Sequence, residues 1–112
     1  MHISRLRCGV LCLVFSSGLT MAQSDRMEDG RRAYESHCKQ CHESDETSAP
    51  TTRQESDWAE RSKLWEAVLF EHAEKGYLEM PAKGGAEGMS EYEVEAAAEY
   101  MVTVTHPEML HD

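Results

Sequence analysis

Two cysteines two residues apart, with a histidine directly after them, constrain this chain more than any other feature. The segment is Cys38-Lys39-Gln40-Cys41-His42. Several chemistries use closely spaced cysteines. A structural zinc site needs four ligands, usually through a second C-x-x-C or a histidine pair. The chain's other cysteines, Cys8 and Cys12, lie in an N-terminal apolar stretch, and His72, His106 and His111 form no such pair. A thioredoxin-like redox pair belongs in a βαβ setting, but the surrounding segments read as helical. A disulfide across two residues would close a tiny, strained loop. The remaining reading is the attachment signature of c-type haem, C-x-x-C-H. Its spacing has a mechanical reason. The two thiols add to the two vinyl groups on one porphyrin edge, and the adjacent imidazole reaches the iron from one face.

The N-terminus reads as a secretory signal. Arg5 and Arg7 precede the apolar stretch Cys8 to Phe15, and Thr20-Met21-Ala22 ends in a small residue. Cleavage is expected after Ala22, giving a signal peptide over 1–22 and one domain over 23–112. The competing reading is an uncleaved anchor. Against it, the stretch is short and diluted by Ser, Gly and Thr, well below the roughly 20 apolar residues of a spanning helix. Cys8 and Cys12 leave with the signal, so the only cysteines of the mature domain are Cys38 and Cys41.

Composition narrows the partners. The 112 residues hold 21 acidic and 11 basic side chains, a net charge of -10 that becomes -12 once Arg5 and Arg7 are removed. Phosphate contacts need Lys and Arg, so nucleic acid is excluded as a partner. A domain of this size with 29% charged residues buries little apolar surface and gains from a cofactor or a covalent staple. A covalent haem supplies a central apolar plate, and the apoprotein is expected to fold poorly.

The mature domain reads as all-α. Asp25 to His37 forms a first helix, capped by Ser24, with Met27, Gly30, Ala33 and Tyr34 on one face. Gly30 costs about 1 kcal/mol inside a helix relative to Ala, which points to another backbone packed closely there. Glu43 to Gln54 is a loop containing Pro50. Asp57 is expected to cap a helix over Trp58 to Ala73, with Ser62 and Lys63 as weak points at which it can break into two short helices. Lys75-Gly76 ends it. Gly76 to Gly88 is a loop with Met80 in its middle. Ser90-Glu91-Tyr92-Glu93 is a capping box that opens a last helix, with Met89 and Val94 as its staple. Val94, Ala97, Ala98, Met101 and Val102 form the apolar face of that helix, which ends before Pro107.

A haem iron with one histidine needs a sixth partner or keeps an open site. Met27, Met89 and Met101 sit on or beside helical faces and read as core filler. Met80 lies in a Gly-rich loop with Pro81 directly after it. A thioether suits ferrous iron and raises the potential. His72 is the main competitor.

With these residues in view, the chain resembles a class I cytochrome c, most closely the cytochrome c5 type. The resemblance covers about Gly30 to Val102. It is carried by Gly30, Tyr34 and the Cys38–His42 motif, then Ala49-Pro50, Trp58-x-x-Arg61, Met80-Pro81-Ala82-Lys83-Gly84-Gly85 and Ser90-x-x-Glu93-Val94-x-x-Ala97-x-x-Tyr100-Met101. Some c5-type members carry a further cysteine pair after the Met loop, and this chain has none there.

The resemblance implies a small all-α fold, three to five helices wrapped round one covalent haem. The first and last helices would cross at Gly30 and near Ala97, with Tyr34 and Tyr100 beside the contact. Cys38 and Cys41 would hold the haem, and His42 and Met80 would ligate the iron. The Pro50 carbonyl would orient the imidazole, with Trp58 and Arg61 near the propionates. The implied function is a soluble, periplasmic, monomeric one-electron carrier, not an enzyme. It would exchange electrons with respiratory redox partners that present a basic docking patch. The alternatives are a haem sensor or peroxide-reactive protein with a labile sixth ligand, and a cytochrome subunit of a larger oxidoreductase.

Overall fold

The computed structural model describes residues 18–59, 61 and 66–108. Most of the expected signal segment and Trp65 therefore lie outside the described residues, as do Ser62 and Lys63, the expected weak points. The described chain is helical. It comprises α1 (Gly18–Ala33), a wide π turn (Tyr34–Cys38), α2 (Lys39–His42), α3 (Glu55–Trp58), α4 (Glu66–Lys75), a 3-10 turn (Ala82–Gly85) and α5 (Glu91–Thr105). No helix among the described residues is long and apolar enough to cross a membrane.

The core is a crossing of α1 and α5. Gly30 sits against the backbone of α5. A Cβ there would overlap the Ala96 carbonyl and come within 3.2 Å of Tyr100 Cβ. The absent side chain is what lets the two helices meet. Ala96, Ala97 and Ala98 keep the facing surface of α5 thin, and all three are buried. Ala33, Tyr34, Met89, Val94, Ala97, Tyr100 and Met101 form one buried cluster. The Tyr34 and Tyr100 rings meet inside it with centroids 5.3 Å apart and a tilt of 45°, a favourable offset for aromatic pairs. Polar contacts close the edge of the crossing. Tyr92 Oη donates to Asp29 at 2.9 Å, and the Arg26 guanidinium lies over the Tyr92 ring.

Three boundaries depart from the sequence reading. The backbone of α1 runs back to Gly18, so Ser24 lies within the helix and does not cap it. A serine inside a helix is only mildly unfavourable, so the hydrogen-bond ladder passes through it. At its other end α1 gives way at Tyr34 to a π turn, closed by Lys39 N donating to Tyr34 O. The extra residue in that turn re-aims the chain where Cys38 begins the motif. Asp57 lies inside α3, and its carboxylate accepts from Thr51 N at 3.0 Å instead of capping a following helix. The expected stop and start signals match the structure elsewhere. Gly76 follows α4 with φ of 85°, and Ser90 and Glu93 form the full capping box of α5.

Candidate functional site

The motif straddles the π turn and α2. Cys38 is half-buried and Cys41 exposed, both as free thiols. Burial, with a smaller contribution from Cys41, pushes the Cys38 thiol up to about 11. His42 follows on α2 and is 7% exposed. Its Nδ1 lies 2.8 Å from the Pro50 carbonyl oxygen. A carbonyl only accepts, so Nδ1 carries the proton and donates, and Nε2 keeps its lone pair. Burial lowers the pKa of this imidazole, opposed by the Pro50 carbonyl, so the ring is neutral at pH 7.

The loop after the motif is clamped onto His42 from two directions. Thr52 N donates to the His42 carbonyl at 2.8 Å. α3 then grips Thr51: Trp58 Nε1 donates to its carbonyl at 2.9 Å, while Asp57 accepts from its N–H. The Trp58 ring also stacks on His42, with centroids 6.1 Å apart and planes within 17°. Pro50 and Trp58 are thus brought together around His42. Arg61 is exposed, and its Nη1 donates to the Asp57 carbonyl at 2.7 Å. It lines an open groove with Pro50, Thr51 and Asp57.

The loop bearing Met80 is built on a tight turn. Tyr77 and Met80 exchange two backbone hydrogen bonds of 3.0 Å each. Leu78, at φ of 53°, makes the corner and is 85% exposed. Gly76 is required beneath this turn, because a Cβ there would come within 3.0 Å of the Met80 carbonyl. Met80 itself is half-buried. Two contacts tie its loop to the flanks of the cysteine motif. Gly84 packs near the His37 carbonyl, just before Cys38. Ser48 Oγ, from the loop after His42, donates to Glu79 at 2.7 Å. The ring of His72 lies flat on Tyr77 at 3.8 Å.

Residues 25–101 match the family described as cytochrome c oxidase, cbb3-type, subunit III. The chain belongs to this cytochrome c family. The cytochrome is also similar to cytochrome c-555 of Chlorobaculum thiosulfatiphilum, at 31% identity over 77 residues. That alignment covers 65% of this chain and 90% of the relative. These likenesses place it among the class I c-type cytochromes, monohaem electron carriers with covalently attached haem c. The donor set fits that group. Two free thiols are followed by a neutral imidazole whose Nδ1 donates to a carbonyl and whose Nε2 is available to a metal.

One polar cluster in the cytochrome was not anticipated. Tyr34 Oη donates to Glu43 at 2.9 Å, and Arg53 donates to the same carboxylate at 3.0 Å. Arg53 also donates to Tyr100 Oη at 3.0 Å, while its backbone N–H bonds Thr105 Oγ1 at 3.1 Å. The cluster joins the π turn, the post-motif loop and α5. Burial pushes the Tyr34 phenol up to about 12, so it stays a donor. Nothing periodic marks Glu43 or Arg53 in the sequence. Their adjacency to the motif and to Pro50 is the only available signal.

Proposed function

We propose that the cytochrome is an exported, periplasmic one-electron carrier. In this reading Cys38 and Cys41 would hold the haem through thioether bonds, and His42 Nε2 and Met80 Sδ would hold its iron. The bound haem supplies the redox chemistry, an iron that cycles between ferric and ferrous states. The protein's own residues supply orientation and exclusion. Pro50 holds the imidazole in one tautomer and Trp58 covers it. The Met80 turn adds a soft donor that favours the reduced iron. With His42 and Met80 both holding the iron, no position would be left for a substrate, which favours a carrier over a sensor or a peroxide-reactive protein.

The observation that carries this reading is the Nδ1 to Pro50 contact, which leaves Nε2 with a lone pair for a metal on the histidine that directly follows the two-cysteine motif. Export is supported by Arg5, Arg7, the apolar Cys8–Phe15 stretch and Ala22. The c5-type assignment is supported by the Met80–Gly85 loop followed directly by the capped α5.

The deciding experiment is the ferric spectrum of holoprotein purified from a haem-attaching host. A weak band near the red edge, lost in Met80→Ala, is expected. A high-spin ferric spectrum in the unaltered protein would instead establish a ligand-binding haem. The family match to an oxidase subunit favours a second reading, a cytochrome subunit of a larger oxidoreductase. Stable co-purification with membrane-bound proteins from the native source would select it over a free carrier.

A further inference from the structure

We propose that Lys83 is a positioning residue that holds Met80 on the iron, an inference that rests on Met80 being the sixth ligand. Lys83 adopts φ of 56° and ψ of 26°. Gly84 and Gly85 follow it at φ of 62° and 86°. Three successive residues therefore occupy the left-handed region, where glycine is free and an L side chain is disfavoured. Only the first of the three is not glycine. Its side chain makes contacts that a glycine there could not.

The Lys83 ammonium donates to the Met89 carbonyl at 2.8 Å and lies 3.6 Å from Glu74 Oε1. Glu74 is in the last turn of α4, and Met89 is the residue just before the cap of α5. One cation therefore joins the end of one helix, the Met80 loop and the start of the next helix. Both side chains are about three-quarters buried. The second Glu74 oxygen is buried without a hydrogen-bond partner among the described residues, so the ammonium balances a carboxylate that water reaches poorly.

The link from Lys83 back to Met80 has little slack. Pro81 fixes φ directly after Met80, and Gly84 N donates to the Pro81 carbonyl at 3.0 Å to close the turn. On the other side, Met80 is already paired with Tyr77. Met80 is held from both directions, by a backbone turn before it and by the Lys83 tie after it. Charge-assisted hydrogen bonds are roughly twice as strong as neutral ones, which suits a tie that must resist displacement of a weak thioether ligand.

The test uses ferric holoprotein and imidazole, a competitor for the sixth position, with Met80→Ala as reference. Lys83→Met and Lys83→Gly are expected to bind imidazole roughly tenfold more tightly, the scale of one lost charge-assisted bond. They should also lose part of the red-edge band. Lys83→Arg should restore both. Lys83→Gly relieves the left-handed backbone and Lys83→Met adds no backbone freedom, so loosening shared by both variants comes from the lost tie. Unchanged imidazole affinity in both Lys83→Met and Lys83→Gly overturns the proposal. If those variants do not accumulate, Glu74→Gln decides: tighter imidazole binding supports the tie and unchanged binding rejects it. A band that survives Met80→Ala would show instead that the ligand reading had failed.

Discussion

The carbonyl oxygen of Pro50 lies 2.8 Å from Nδ1 of His42. A backbone oxygen cannot be removed by mutation, so its position depends on what holds the loop. Trp58 does so through Thr51, and Trp58→Phe removes the indole N–H while keeping most of the packing. Stability of the holoprotein should fall by about 1 kcal/mol, the net value of one hydrogen bond. Urea unfolding followed by the haem absorbance measures it. No loss of stability would show that the Trp58–Thr51 bond does not hold the loop.

Gly30 sets two effects against each other. Helix propensity alone predicts that Gly30→Ala stabilises by about 1 kcal/mol. The added methyl, however, would overlap the Ala96 carbonyl, and backbone cannot rotate away as a flexible side chain could. Overpacking of this kind costs about 1–3 kcal/mol and the helices must separate. The variant should therefore melt at a lower temperature than the unaltered protein. A higher melting temperature would mean that α1 and α5 do not meet at this residue.

These two cases mark how far the sequence carried. The crossing was legible because an interior glycine on one helix and a thin alanine face on another have one economical explanation. The capping box of α5 was legible because Ser90 and Glu93 satisfy each other locally. The failures involve contacts that are distant in sequence or depend on backbone shape. Asp57 looked like a helix cap, but the Thr51 N–H competes for its carboxylate. The π turn at Tyr34 has no residue signature. The Glu43–Arg53 pair lies in a loop without periodicity, and it acquires meaning only when Tyr34 and Tyr100 are brought to it. Roles at the site followed from short motifs, whereas the supports around them came from tertiary geometry.

Acid should weaken the start of α5. The backbone N–H and hydroxyl of Ser90 hold the Glu93 carboxyl below its ordinary value of 4.5. The folded state thus binds this proton less readily than the unfolded state. The stabilisation is complete above 4.5 and is lost as pH falls through the folded pKa. Glu93→Gln should flatten that part of the stability profile, because a neutral amide does not titrate over this range. Chemical denaturation at a series of pH values down to 3 provides the check. An unaltered slope in the variant would assign the acid sensitivity to other carboxylates.

Charge should steer association, but not evenly over the surface. The chain carries a net charge of -10, and Glu91, Glu93, Glu95 and Glu99 all lie on α5. Part of that field is already neutralised, because Arg26 pairs with Glu99 at 2.5 Å and with Glu95 at 3.8 Å. Electron exchange with a cationic redox reagent should slow as salt is added, and exchange with an anionic one should quicken. Arg26→Gln exposes both glutamates to the reagent. At low ionic strength it should raise the cationic rate roughly twofold, the effect of one unit charge acting through water over about 10 Å. Stopped-flow kinetics over a range of salt concentrations distinguishes the possibilities. A larger salt dependence in the variant would place the electron port near α5. An unchanged one would place the port on a face that Arg26 does not reach.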